Sequence, residues 1–88
     1  MYRYERSDNL KKILEKLFKK DKVRYEATLK KIEEVLNCEN PHHYKNLSYG
    51  MKEFKRVHID SHFVLIFKVD EAAKSILFYD LQHHDKIY

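Results

Sequence analysis

The sequence predicts an α+β fold: a short N-terminal strand, an antiparallel helical hairpin, then a three-stranded antiparallel meander with the helices on one face of the sheet. Three observations carry this. Apolar residues recur at helical spacing through the first half of the chain. The second half changes to β-type runs separated by short turns. The connections are too short for anything but neighbouring elements to pair.

Tyr2 and Tyr4 alternate with Arg3 and Glu5, the pattern of a short strand at a sheet edge. Ser7-Asp8-Asn9 then offers capping side chains for the orphan N–H groups of a helix start. Leu10, Ile13, Leu14, Leu17 and Phe18 form one apolar stripe, with Lys11, Lys12, Glu15, Lys16 and Lys19 on the opposite side. Lys20-Asp21-Lys22 is the expected break, with Asp21 able to cap a second helix. Its stripe is Tyr25, Leu29, Ile32, Val35 and Leu36, ending near Asn37-Cys38. Asn40-Pro41 closes the helical region, because proline disfavours helix at the residue before it.

Residues 42–52 read as a loop, with a turn at Tyr49-Gly50. On the strand that follows, Phe54, Arg56, His58 and Asp60 share one face and Lys55, Val57 and Ile59 the other. Ser61-His62 is a tight turn. The run Phe63-Val64-Leu65-Ile66-Phe67-Lys68-Val69 is almost wholly apolar, the mark of a central strand covered on both faces. Residues 70–74 turn, and Ser75 to Leu81 forms the last strand.

At 88 residues the chain is one domain, 1–88. Cys38 is its only cysteine, so no internal disulfide forms and no Cys-x-x-Cys motif exists. The opening residues are not a signal peptide, and no apolar run is long enough to span a membrane. A cytoplasmic protein without a membrane partner is expected. The net charge of +4 is mild and decides little by itself. Its distribution says more, since Lys45, Lys52, Lys55 and Arg56 fall between His42 and His62, together with four of the six histidines. The histidines of 42–43, 58/62 and 83–84 are the residues that could serve as zinc ligands. Adjacent pairs chelate poorly and no Cys or Glu motif supports them, so no metal and no other cofactor is expected.

The chain ends in His83-His84-Asp85-Lys86-Ile87-Tyr88, directly after the apolar run Ile76-Leu77-Phe78-Tyr79. Groups that titrate or donate near neutral pH, set at the end of a strand, point to a site at a sheet edge.

Taken with the size, the element order, the segment Leu47-Ser48-Tyr49-Gly50-Met51-Lys52-Glu53-Phe54-Lys55-Arg56-Val57-His58-Ile59, the apolar run 63–69 and the ending 84–88, the whole chain resembles the RelE/ParE toxin superfamily. It resembles most the RelE-type toxins with a YafQ-like C-terminus. The resemblance implies an mRNA endonuclease that works without metal and cuts messages in the ribosomal A site. Its implied partners are a cognate RelB-like antitoxin, mRNA and the ribosome, with operator DNA met only through the antitoxin.

Metal-free RNA cleavage by the 2′-OH needs a base, an acid and a cation at the phosphate. By resemblance, His84 is the principal acid/base group and His58 the second titrating group or a phosphate ligand. His62 stands where relatives carry a carboxylate, which leaves open which group is the base. Arg56 suits a bidentate grip on the scissile phosphate, with Lys52, Lys55 and Lys45 as further phosphate contacts. Tyr88 stacks on a base or packs on the sheet. Asp80 occupies a position where relatives often carry Arg, so the cation must come from elsewhere or activity is reduced. Two other functions are compatible with such a chain. A ParE-like gyrase inhibitor is disfavoured by His84 and Tyr88, and a non-enzymatic RNA- or ribosome-binding protein would keep binding RNA without those histidines.

Overall fold

The computed structural model describes residues 2–47 and 53–86. Strand β1 (Arg3–Arg6) leads into helix α1 (Asp8–Lys20) and helix α2 (Lys22–Asn37), and a single 3-10 turn spans Pro41–His43. Strands β2 (Phe54–His58), β3 (Phe63–Asp70) and β4 (Ser75–His83) follow, and a second 3-10 turn covers His84–Lys86. The predicted turn at Tyr49-Gly50 lies outside the described residues, as do Lys52 and Tyr88.

Capping follows the sequence closely. The Ser7 hydroxyl accepts from the Leu10 N–H at 3.0 Å and Asp21 accepts from the Arg24 N–H at 3.1 Å. Each removes an orphan donor, worth about 1 kcal/mol. Asp21 is the whole connection between the helices, so they pack as neighbours.

The sheet has the order β1-β4-β3-β2. β2, β3 and β4 form the predicted antiparallel meander. β1 joins it as a fourth strand, parallel to β4, with Arg3 opposite Ser75 and Arg6 opposite Phe78. β3 is interior, and Val64, Leu65, Ile66 and Phe67 are all buried. Leu10 and Leu14 of α1, Ile32 and Val35 of α2, and Leu65, Phe67, Ile76, Phe78 and Leu81 of the sheet make one core. Phe67 and Phe78 meet at 5.9 Å between ring centroids. Truncating either to Ala is expected to cost about 3–5 kcal/mol.

Two features depart from the expected strands. β4 runs two residues past Leu81, so His83 belongs to the sheet. The β3–β4 register also shifts: Ile66 faces Asp80 while Phe67 faces Phe78, which leaves Tyr79 as the extra residue of a bulge. Phe18, assigned to the α1 stripe, is half exposed and packs edge-on against Tyr25 at 5.2 Å, under the Lys22 ammonium.

Candidate functional site

The turn between β2 and β3 meets the end of β4, and there the histidines gather. Asp60 builds that turn. Its Oδ1 accepts the N–H groups of His62 and Phe63, both at 2.8 Å, and its Oδ2 accepts from Arg24 Nε at 3.0 Å. Arg24 is held from the other side by Asp21 at 2.9 Å, and its guanidinium lies 4.2 Å from the Phe63 ring centroid. The start of α2 thereby clamps the turn. Burial works against ionisation of Asp60, but the His62 N–H, the Arg24 guanidinium and the Phe63 N–H outweigh it and hold the carboxyl below the usual carboxylate range.

The ladder runs on past the last strand pair: the His84 N–H donates to the His62 carbonyl at 2.8 Å. The same carbonyl lies 3.1 Å from His84 Nδ1, and because a carbonyl can only accept, Nδ1 carries the proton in that contact. His84 Nε2 lies 3.0 Å from Asp85 Oδ1. Successive strand residues point apart, but the 3-10 turn beginning at His84 brings its ring beside that of His83. The rings of His83 and His84 are 4.8 Å apart, with His62 at 5.9 Å from the first and 6.2 Å from the second, all three nearly parallel. One ligand atom from each lies within 4.8 Å of the others, and among the described residues this is the one cluster able to hold a metal ion. Adjacent histidines alone chelate poorly, but here a third imidazole comes from a turn 21 residues before His83 in the chain, where no local motif could show it.

Arg56 and His58 stand on β2, on the face away from the helices. Register places Arg56 opposite Ile66 and Asp80, and His58 opposite Val64 and Gln82. They thus sit two strands from β4, about 10 Å measured across the sheet. Together with Val57, His43, Tyr44 and Lys45 they line an open groove of about 390 Å³. No described hydrogen bond joins Arg56 or His58 to the three-histidine cluster. Lys45 is exposed at the groove's rim, and its carbonyl accepts the Arg56 N–H at 2.9 Å.

Lys55 is the clear correction. Expected to touch phosphate, it is only 8 % exposed and points to the helix-covered side with Val57. Its ammonium donates to the His42 carbonyl at 3.1 Å, the Tyr44 carbonyl at 3.2 Å and Asn46 Oδ1 at 2.8 Å. Burial pushes its pKa down. Lys55 organises the segment that walls the groove; it does not face solvent. Asp80 also has a structural part: it accepts from Asn9 Nδ2 at 2.9 Å and from the Leu81 N–H at 2.8 Å, tying the first turn of α1 to β4.

Arg24 and Asp60 are the site's members whose functional part the sequence did not show. The signal available was an acidic residue two positions before His62, the spacing of a side chain that caps its own turn.

A four-stranded mixed sheet with two helices on one face is an α+β fold that solved toxin structures share. The fold matches a YoeB/ParE toxin from Agrobacterium tumefaciens with a TM-score of 0.74, at 10 % identity over 93 % of this chain and 98 % of that one. It matches YafQ from E. coli with a TM-score of 0.68, at 22 % identity over 98 % of this chain and 97 % of that one. No family model matches the chain. A protein named as toxin RelE4 in Methanocaldococcus jannaschii is 54 % identical over all 88 residues, covering 92 % of that protein. An uncharacterised protein of Methanosarcina mazei is 50 % identical over the full length of both. The chain belongs to the RelE toxin family.

Proposed function

We propose that this toxin cleaves mRNA in the ribosomal A site, using no metal, and that a RelB-like antitoxin encoded with it holds it inactive. The observation that carries this reading is the meeting of His62 and His84 where the β2–β3 turn joins the end of β4, in a sheet whose open face carries Arg56 and His58 on β2. The 2′-OH of the RNA is the nucleophile. As its proton leaves to an imidazole, the O2′–P bond forms and the P–O5′ bond breaks, giving a 2′,3′-cyclic phosphate. An acid delivers a proton to the departing 5′-oxygen.

His84 is the principal acid/base group. Both its ring nitrogens face acceptors, the His62 carbonyl and Asp85, an arrangement that the doubly protonated ring satisfies and that suits an acid. His62 or His58 takes the 2′ proton. Arg56 holds the phosphate, Lys45 and Lys52 follow the message backbone, and Tyr88 stacks on a base.

The antitoxin docks on the helix side. Leu14, Phe18 and Tyr25, with Arg6, Lys11 and Lys19 around them, line a groove of about 510 Å³ that fits a peptide of apolar and acidic side chains. Operator DNA is met through the antitoxin. The setting is cytoplasmic, and no described helix is long and apolar enough to cross a membrane.

The test is translation in vitro with primer extension across the message. Wild-type protein yields cuts in translated codons, and His84→Ala loses at least about a hundredfold in rate, the scale of acid–base catalysis. Full activity in His84→Ala removes the reading.

A further inference from the structure

We infer that His62, His83 and His84 form a binding site for a divalent cation of the zinc class, and that the bound cation silences the toxin. The second half rests on the proposed function; the first does not.

The three ligand atoms lie within 4.8 Å of one another. A tetrahedral zinc site with bonds of about 2.0–2.1 Å needs neighbouring nitrogens roughly 3.3 Å apart. Ring rotations of these side chains close that gap, since His62 is exposed and His83 and His84 are half-buried at the surface. The backbone is already fixed. Asp60 holds the His62 N–H, and the His62 carbonyl holds His84.

The outer contacts fit a metal as well. A ligating imidazole commonly donates its other N–H to a carbonyl, which sets the tautomer and points the free lone pair at the ion. His84 Nδ1 makes that contact with the His62 carbonyl at 3.1 Å. Asp85 supplies a fourth ligand: Oδ1 is 3.0 Å from His84 Nε2 and Oδ2 is 3.5 Å from His83 Nδ1, on a side chain that is largely exposed and able to turn. Three imidazoles and a carboxylate favour zinc, nickel or copper over magnesium or calcium. The cation displaces the proton at His84 Nε2. That nitrogen then neither accepts a proton from the RNA nor delivers one.

The experiment uses the full chain, stripped of metal, with Zn²⁺ and Co²⁺ as probes. Isothermal titration with Zn²⁺ shows one ion per chain at micromolar affinity or tighter, and Co²⁺ gives the visible absorption bands of a four-coordinate site. His62→Ala weakens Zn²⁺ binding by at least about tenfold, the smallest loss ordinarily seen when even an outer partner of a metal ligand is removed. His42→Gln, a histidine outside the cluster, leaves it unchanged. Thermal melts without metal confirm that both variants fold. Absence of saturable binding, or binding that His62→Ala leaves intact, overturns the site. RNA cleavage is then followed against Zn²⁺ occupancy and restored with a chelator. Loss of cleavage in step with occupancy supports silencing. A Zn²⁺-loaded toxin that cuts at full rate overturns silencing but not the site. Normal cleavage with no metal binding overturns the inference and spares the proposed function. Metal binding by a protein that never cuts RNA does the reverse.

Discussion

Replacing Lys55 with Met separates two jobs that basic residues on this strand can have. Met keeps the buried stem and removes the ammonium. Three oxygens then lose their donor: the carbonyls of His42 and Tyr44 and the Asn46 side chain. Each such bond is worth about 0.5–1.5 kcal/mol net, so the gross loss is about 3 kcal/mol. Against that, Met relieves the desolvation that pushes the Lys55 pKa down, and water reaches part of the exposed 42–46 segment. A net loss of about 2 kcal/mol is expected, a sizeable part of the 5–15 kcal/mol typical of a whole domain. For a domain of this size it corresponds to a fall in Tm of about 8–16 °C. Lys45→Met is the control: Lys45 is exposed, and its stability change should stay within about 0.5 kcal/mol. RNA binding should split the other way. Lys45→Met reduces the salt dependence of single-stranded RNA affinity by about 0.7 in slope, and Lys55→Met, below its lower Tm, leaves the slope unchanged. Urea and thermal melts followed by circular dichroism measure the first effect, and fluorescence anisotropy across a salt series the second. A Lys55→Met protein that melts like wild type and loses salt dependence would refute the structural assignment and return Lys55 to the phosphate.

Asp60→Ala removes three accepted bonds from the turn that carries His62, and should cost about 1–3 kcal/mol in urea melts. It should also slow RNA cleavage more than Asp85→Ala slows it, because the turn itself loosens. The Lys74 ammonium, the Tyr2 hydroxyl and His42 hold Glu71 at about 2 against an ordinary 4.5. A depressed carboxyl stabilises the fold fully above its unfolded value. Wild type should therefore lose stability as pH falls from 4.5 towards 2, and Glu71→Gln should lose less over that window in midpoint-against-pH measurements. Asp60, also depressed, adds to the same acid loss below its ordinary 3.8. Phe67→Leu in the core should cost about 1–3 kcal/mol and leave cleavage per folded molecule unchanged, as judged by activity normalised to the folded fraction.

Local features were legible and long-range ones were not. The helix stripes, the caps at Ser7 and Asp21 and the apolar run of β3 each depend on residues a few positions apart, and apart from Phe18 at the end of the α1 stripe each stands where its pattern put it. Strand alternation also put Lys55 on the side opposite Arg56. It could not show that three oxygens from the 42–46 segment wait there, because that segment has no periodicity to read. The parallel pairing of β1 with β4 joins residues some 70 positions apart, and nothing at either end specifies parallel over antiparallel. The meeting of His62 with His84 needed two things at once: a turn whose length Asp60 sets, and a ladder that outlasts the apolar run. The second was hidden because strand propensity fades at Gln82-His83, where pairing with β3 keeps the chain extended.

The bulge at Tyr79 ties these facts together. Ile76 and Phe78 face the helices. One extra residue then changes the parity of the strand, so Leu81 returns to the core side in place of Asp80. In a regular strand Asp80 and Gln82 would have entered the core, and Leu81 and His83 would have emerged on the open face. The bulge instead frees Asp80 to receive the Asn9 amide and sets the edge of the His83 ring against Phe63 at 5.3 Å. A carboxylate that fastens α1 thus stands on the strand, in the row that leads through Ile66 to Arg56. The cations of this face are left on β2 and its flanking segment, while the His83 ring turns to the helix side and meets His62 and His84 at the end of β4. A ligand that engages both must cross two strand spacings, roughly 10 Å, and also reach past the end of β4, which favours a polynucleotide over a single nucleotide.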